Sequence, residues 1–285
     1  MRDIKLMIKH TFKESYKSML ILNGVLLGSM FLISLFILIV NEAFLLTPFG
    51  SFFIVMGAIL IVVLIYAAII GIIYTVYKTM NQKLFTNEGY LTFTLPVSVD
   101  SIIISKIVVN LIWIFVLIIT TILGFLLIIG SATLKNMEDI ITIGTMLKQF
   151  LETLKLNSEI EFVEIIALFF NLLLYLIISI LSLLFFFNVL AFVNTGTLKK
   201  GKSVLAIIMY IFGIELFTMI LMLIAQFAAV GIAYDYNLSK YVFAFGNLTN
   251  GAYLINFTAL IVYGGSMVGL YMLAKFILKK KIELL

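Results

Sequence analysis

The sequence predicts an all-α polytopic membrane protein, with six transmembrane helices and an N-terminal interfacial helix, and three observations carry that prediction. The first is composition: 64% of the 285 residues are hydrophobic and only 12% are charged, with a mean hydropathy of +1.23. A soluble domain is about half apolar and about a quarter charged. The second is segment length, because apolar runs recur at 19–40, 53–77, 107–129, 162–192, 204–233 and 252–273, and about 20 residues cross a hydrocarbon core. The third is that lipid offers the backbone no hydrogen bonds. Long uncharged runs in lipid are therefore helices, and no alternating barrel pattern is sustained here.

The elements follow in order. The N-terminal stretch RDIKLMIKHTFKESYK places Lys5, Lys9, Lys13 and Lys17 at i, i+4 spacing, hence on one helical face, with apolar residues around the rest. A helix lying in the membrane interface and plain topogenic charge ahead of the first span both fit it. His10 is the single histidine, which excludes a two-histidine metal site, and it reads as interfacial. Cysteines are absent, which excludes thiolate catalysis, disulfides and Cys-ligated metals. No small-residue cleavage pattern follows the first apolar run, so it reads as a span rather than a signal peptide. Pro48 and Pro96, the two prolines, fall between spans, where a missing backbone N–H does least harm.

The bases set orientation. Fifteen of the 19 basic residues lie on one side: Arg2 and Lys5, Lys9, Lys13 and Lys17; Lys78, Lys83 and Lys106; Lys199, Lys200 and Lys202; Lys275, Lys279, Lys280 and Lys281. Only Lys135, Lys148, Lys155 and Lys240 lie on the other. The positive-inside rule makes the first side cytoplasmic, and an even number of spans puts both termini there. In this setting the positive charge reports topology and contact with lipid headgroups rather than affinity for nucleic acid.

Two segments between spans stand out. The external stretch 131–161 suggests one or two amphipathic helices with an acidic solvated face. The cytoplasmic loop 78–106, KTMNQKLFTNEGYLTFTLPVSVDSIIISK, carries Phe85, Tyr90, Leu91, Phe93 and Leu95 among few charges, and nothing soluble in the chain buries them. They lie in the interface or dock onto another protein. Gly89 permits a turn, Pro96 ends the segment, and Ser98 or Asp100 caps the helix that follows.

Within the spans, Glu215 lies near the middle of the fifth, where an unpaired carboxylate costs at least ~3 kcal/mol. It should face protein or water, either as a substrate or proton site or as a hydrogen-bonded carboxyl tying helices together. Asn171 and Asn188 in the fourth span are its candidate partners, or simply join helices. The octapeptide GTLKKGKS from Gly196 to Ser203 fits the phosphate-loop pattern letter for letter. That loop works only between a buried strand and a helix of an α/β domain, and here one apolar span ends before it and another starts after it, so nucleotide binding at this site is rejected. No convergent acid, base and nucleophile or metal set suggests an enzyme.

The stretch NQKLFTNEGYLTFTLPVSVDSIIISKIVVNLIW resembles the permease subunits of type-2 ABC exporters of low-GC Gram-positive bacteria. Those proteins carry a cytoplasmic E-G-Y-L-x-x-T-L-P-x-S loop ahead of a helix with a lysine, and Glu88, Gly89, Tyr90, Leu91, Thr94, Leu95, Pro96, Ser98 and Lys106 stand at the matching positions. The resemblance implies a bacterial cell-membrane subunit with no cofactor of its own. It implies separate ATP-binding subunits holding ATP and magnesium, and a second permease, identical or not. Phe85, Glu88, Gly89, Tyr90, Leu91, Phe93, Leu95 and Pro96 become the expected coupling residues, and an aromatic bundle poor in charge suits an amphipathic or lipidic substrate such as a peptide. The competing expectations are a proton-coupled secondary transporter built on Glu215 and a non-transporting sensor or immunity subunit.

Overall fold

The computed structural model describes residues 2–40, 47–82, 98–134, 162–195, 201–235, 237–238, 240–246 and 251–282. Among them are six helices long and apolar enough to cross a membrane, so the chain is an all-α polytopic membrane protein in its dominant architecture. The helices are α1 (Arg2–Ile39), α2 (Pro48–Tyr77), α3 (Val99–Leu134), α4 (Phe162–Thr195), α5 (Lys202–Phe227) and α6 (Phe257–Ile282), and a π-helical turn, Lys78–Gln82, prolongs α2.

The basic N-terminal segment and the first span form one unbroken helix. At 38 residues α1 is ~57 Å long, nearly twice the ~30 Å hydrocarbon thickness. Lys5, Lys9, Lys13 and Lys17 are all exposed, while Thr11, Ser15 and Met19, on the opposite face, are buried. The face that packs mixes small polar residues with large apolar ones, Asn23, Leu26 and Met30 being buried on it as well, and Ser15 Oγ donates back to Thr11 O at 3.1 Å. His10 pairs with Glu14 at 3.2 Å on the same helix. At the start of α2, Thr47 accepts from the Gly50 N–H at 3.0 Å and Pro48 takes the first helical position, where its missing N–H and fixed φ suit a helix start.

The chain divides into two compact units. One comprises Ile8–Thr79 and Val108–Glu159. Its core is Met19, Val109 and Trp113 at one level and Leu26, Met30 and Ala68 at another. Trp113 stacks on Phe12 with ring centroids 5.0 Å apart and donates its indole N–H to Ser15 Oγ at 2.9 Å. Gly71 and Gly124 leave room for Leu22 and Met30, each of which has an atom 2.0 Å from where a Cβ would stand, the close approach that small residues give membrane helices.

The other unit comprises Met1–Met7, Met80–Ile107 and Ile160–Leu285. Leu181 of α4, Leu221 and Ala225 of α5, and Ala259 and Tyr263 of α6 form its core. Between α5 and α6 lies a three-stranded antiparallel sheet of β1 (Val230–Asp235), β2 (Lys240–Phe245) and β3 (Gly251–Asn256), in the order β2-β1-β3. Composition alone runs the fifth span to Ala233 and starts the sixth at Ala252. The structure ends the fifth helix at Phe227 and starts the sixth at Phe257. Uniform apolarity hid the change of period, because a run without polar alternation does not separate strand from helix. The sheet is tied to the helices on either side: Thr258 Oγ1 donates to Ala228 O at 2.7 Å, Asn256 Nδ2 donates to Ala225 O at 3.2 Å, and Asn256 Oδ1 accepts from the Ala259 N–H at 3.1 Å, capping α6.

Candidate functional site

The π-turn and the first turns of α3 shorten the expected loop 78–106, so the expected coupling residues Phe85, Glu88, Gly89, Tyr90, Leu91, Phe93, Leu95 and Pro96 lie outside the described residues. The flanks of the segment 83–97 are described, and they hold most of the buried polar side chains of this part of the molecule. Thr75, Thr79 and Asn81 are buried before it, and Ser101, Ser105, Lys106 and Asn110 after it. Lys106, on the helix that enters the third span as the resemblance implies, stands inside α3 and is only 2% exposed. Buried polar groups in a membrane protein are retained where they are hydrogen-bonded or serve a mechanism.

Before the segment, Asn81 Oδ1 accepts from Asn194 Nδ2 at 2.6 Å, and the same nitrogen reaches Leu190 O at 2.7 Å. That fastens the π-turn to the C-terminal end of α4. Thr79 and Asn110 lie within 3.4 Å of each other and join the end of α2 to α3. After the segment, Ser98 Oγ accepts from the Ser101 N–H at 3.2 Å and caps α3. Asp100, in the first turn, accepts from the Tyr271 hydroxyl and, at 2.8 Å, from Lys275 Nζ. Tyr271 and Lys275 stand one turn apart on α6, so a single carboxylate receives both and fastens the start of α3 to the end of α6. Both ends of the segment 83–97 are therefore fixed to the helix bundle by polar contacts. The sequence offered a trace of this in the i, i+4 spacing of Tyr271 and Lys275, but nothing in it matches Asp100 to them or Asn81 to Asn194.

The intramembrane polar residues separate. Asn188 is buried in α4 and donates to Leu184 O at 2.9 Å and to Leu270 O of α6 at 3.0 Å. It joins two helices. Asn171, 17 residues earlier and hence ~25 Å along the same helix, donates to Leu254 O of β3 at 3.3 Å. Neither meets Glu215, which is exposed on α5 and makes no side-chain hydrogen bond or ion pair among the described residues. Of the two readings of Asn171 and Asn188, the joining of elements is the one formed, to β3 and to α6, and neither partners Glu215.

Around Asn171 lies an open groove of about 640 Å³ lined by Glu164, Ala167, Leu168, Leu172, Tyr175 and Leu254, with Glu164 Oε1 accepting from the Tyr241 hydroxyl at 2.6 Å. Of the rejected phosphate loop, Gly201 is described; it precedes α5 with φ +76° and supplies no side-chain cap. The element before the motif is the helix α4 rather than the strand a phosphate loop requires. Among the described residues no three His, Cys, Asp or Glu side chains gather to hold a metal. No protein-family model, curated protein or solved structure matches this chain.

Proposed function

We propose that this multi-pass membrane protein is the permease subunit of an ATP-driven exporter of the type-2 ABC class, with both termini in the bacterial cytoplasm. It works as one of two permease chains with two separate ATP-binding subunits, and it moves an amphipathic or lipidic substrate such as a peptide. One observation carries the reading: an apolar, aromatic segment on the basic side of the membrane, 83–97, is fastened at both ends to spanning helices. Motion delivered to that segment has a defined route. It reaches α4 through Asn81 and Asn194, α6 through Asp100, Tyr271 and Lys275, and α3 through the helix itself.

The roles divide accordingly. ATP and magnesium belong to the partner, where the phosphate bond is broken. In this chain Tyr90 and Phe93 are apolar anchors for a cleft on the motor, since buried aromatic side chains dominate such contacts. Phe85, Leu91 and Leu95 extend that anchor, Glu88 pairs with a base on the motor, and Gly89 and Pro96 shape the turn. A proton-coupled carrier built on Glu215 needs a relay, and the hydrogen bonds of Asn171 and Asn188 lead away from that residue.

Co-expression with the adjacent genes and purification in mild detergent tests the proposal. An ATP-binding subunit is expected to copurify in stoichiometric amount and to hydrolyse ATP. Tyr90→Ala and Phe93→Ala together are expected to abolish the association, and Glu88→Gln to lower substrate-stimulated hydrolysis with the permease still folded. A chain that purifies alone and supports no ATP hydrolysis overturns the exporter and leaves a carrier or a non-transporting binding subunit.

A further inference from the structure

The sheet between α5 and α6 is built inside out for water. Side chains alternate between the two faces of a strand, and on one face Gly231, Ala233 and Ala244 are buried. The opposite face carries Tyr241, Phe243 and Phe245 of β2. Phe243 is 59% exposed and Phe245 70%, with their rings in edge contact at 5.1 Å. A sheet in water buries its large apolar side chains and presents polar ones. Here the smallest residues are enclosed and the aromatic ones are bare, the arrangement of a strand whose outer face meets lipid.

Depth points the same way. From Lys202 to Phe227 α5 rises ~38 Å, short of the ~40–45 Å that a bilayer measures with its headgroups. With Lys202 at one membrane surface, the sheet therefore starts below the other. The Gly246 N–H donates to Ala229 O at 2.7 Å and holds the end of β2 beside the end of α5, so Phe245 stands where the bare apolar surface of α5 stops at Phe227. Charge begins ~14 Å farther along β2, where Tyr241 meets Glu164 in the first turn of α4 and Lys240 stands opposite Asp235. Among the described strands β2 lies at an edge, and edge backbone groups need water, which keeps the strand out of the hydrocarbon. We propose that the sheet is a membrane-surface anchor, seated in the leaflet opposite Lys202 with Phe243 and Phe245 among headgroups and upper acyl chains and its Asp235–Lys240 end in water. Lipid is the occupant because the patch continues the lipid-facing surface of α5 and is uncharged, Val230 and Ile232 being the cross-strand neighbours of the two rings. Through the bonds of Asn256 to Ala225 and of Thr258 to Ala228, the anchor sets the depth of both helix ends. The inference rests on the membrane-spanning helices and is independent of the proposed exporter.

The chain has no cysteine, so single nitroxide labels report depth cleanly. Phe243→Cys, Phe245→Cys and Leu238→Cys are all at exposed positions, Leu238 in the turn at the far end of the sheet, and labelling them removes no core packing. Phe212→Cys, exposed within α5, gives the lipid limit and verifies insertion. In vesicles of phosphatidylethanolamine and phosphatidylglycerol, collisions with oxygen, which concentrates in lipid, are compared with those of a water-soluble nickel chelate. The oxygen-to-nickel ratio is expected to be several-fold higher at 243 and 245 than at 238, and higher at 245 than at 243. A ratio at either ring position no higher than at 238 puts the sheet in water and overturns the proposal. Labels at 243 and 245 that neither reagent reaches reveal a covering protein surface, from a second copy or another chain, and overturn lipid as the occupant.

Discussion

The fourth and fifth spans are neighbours of similar composition that meet opposite surroundings. In α4, 56% of the most apolar window is buried within the chain, and in α5 only 6% is. The polar residues follow the same division. Asn188 of α4 faces inward and finds two carbonyls, whereas Glu215 of α5 faces outward and meets no side-chain partner among the described residues. Apolarity places a helix in the membrane but does not say whether protein or lipid surrounds it. The polar residue is the better guide, because its cost without a partner points to the side where a partner must stand.

The largest effect is expected on the enclosed side. Asn188→Asp sets a carboxylate against the carbonyls of Leu184 and Leu270, and a loss of ~3 kcal/mol or more is expected from a buried charge without compensation, read as thermal unfolding in detergent. Leu181→Ala, at a fully buried position of α4, is expected to cost ~2–5 kcal/mol through the cavity it leaves. Met219→Ala on α5 is expected to change the stability of the chain by less than ~0.5 kcal/mol. Equal losses at Leu181 and Met219 in a monomeric preparation would break the contrast between the two helices.

Smaller effects come from the segment ends. Asp100 and Lys275 are each a little over one-third exposed, so the ion pair contributes ~1 kcal/mol or less to stability. A double-mutant cycle of Asp100→Asn and Lys275→Met measures that coupling. If the proposed exporter assembly is correct, Asp100→Asn is nevertheless expected to lower substrate-stimulated ATP hydrolysis, because Asp100 joins α3 to α6. Unaltered hydrolysis with both variants would remove Asp100 from the coupling route.

The legible parts of the molecule were those governed by length and lipid chemistry. Six apolar runs gave six helices, and Ser98 caps α3 as its position ahead of the run suggests. Residues 230–233 and 252–256 were read as ends of the fifth and sixth spans because, where nearly every residue is apolar, neither a boundary nor a period stands out. The face of α1 that packs was hidden for the opposite reason. Ser15 is polar in sequence but satisfied by the Thr11 carbonyl of its own helix and by the Trp113 indole N–H, so it buries as readily as a small apolar residue.

What the sequence determined by itself is the solvent and the number of crossings, because a backbone in hydrocarbon must close its own hydrogen bonds and a 20-residue apolar run does so in only one way. What only the tertiary structure decided is which polar groups meet. Asp100 is 171 residues from Tyr271 and 175 from Lys275, and Asn81 is 113 from Asn194. Local spacing carries no information over such separations. Their pairing follows from how helices pack side by side, and so does the outward turn of Glu215.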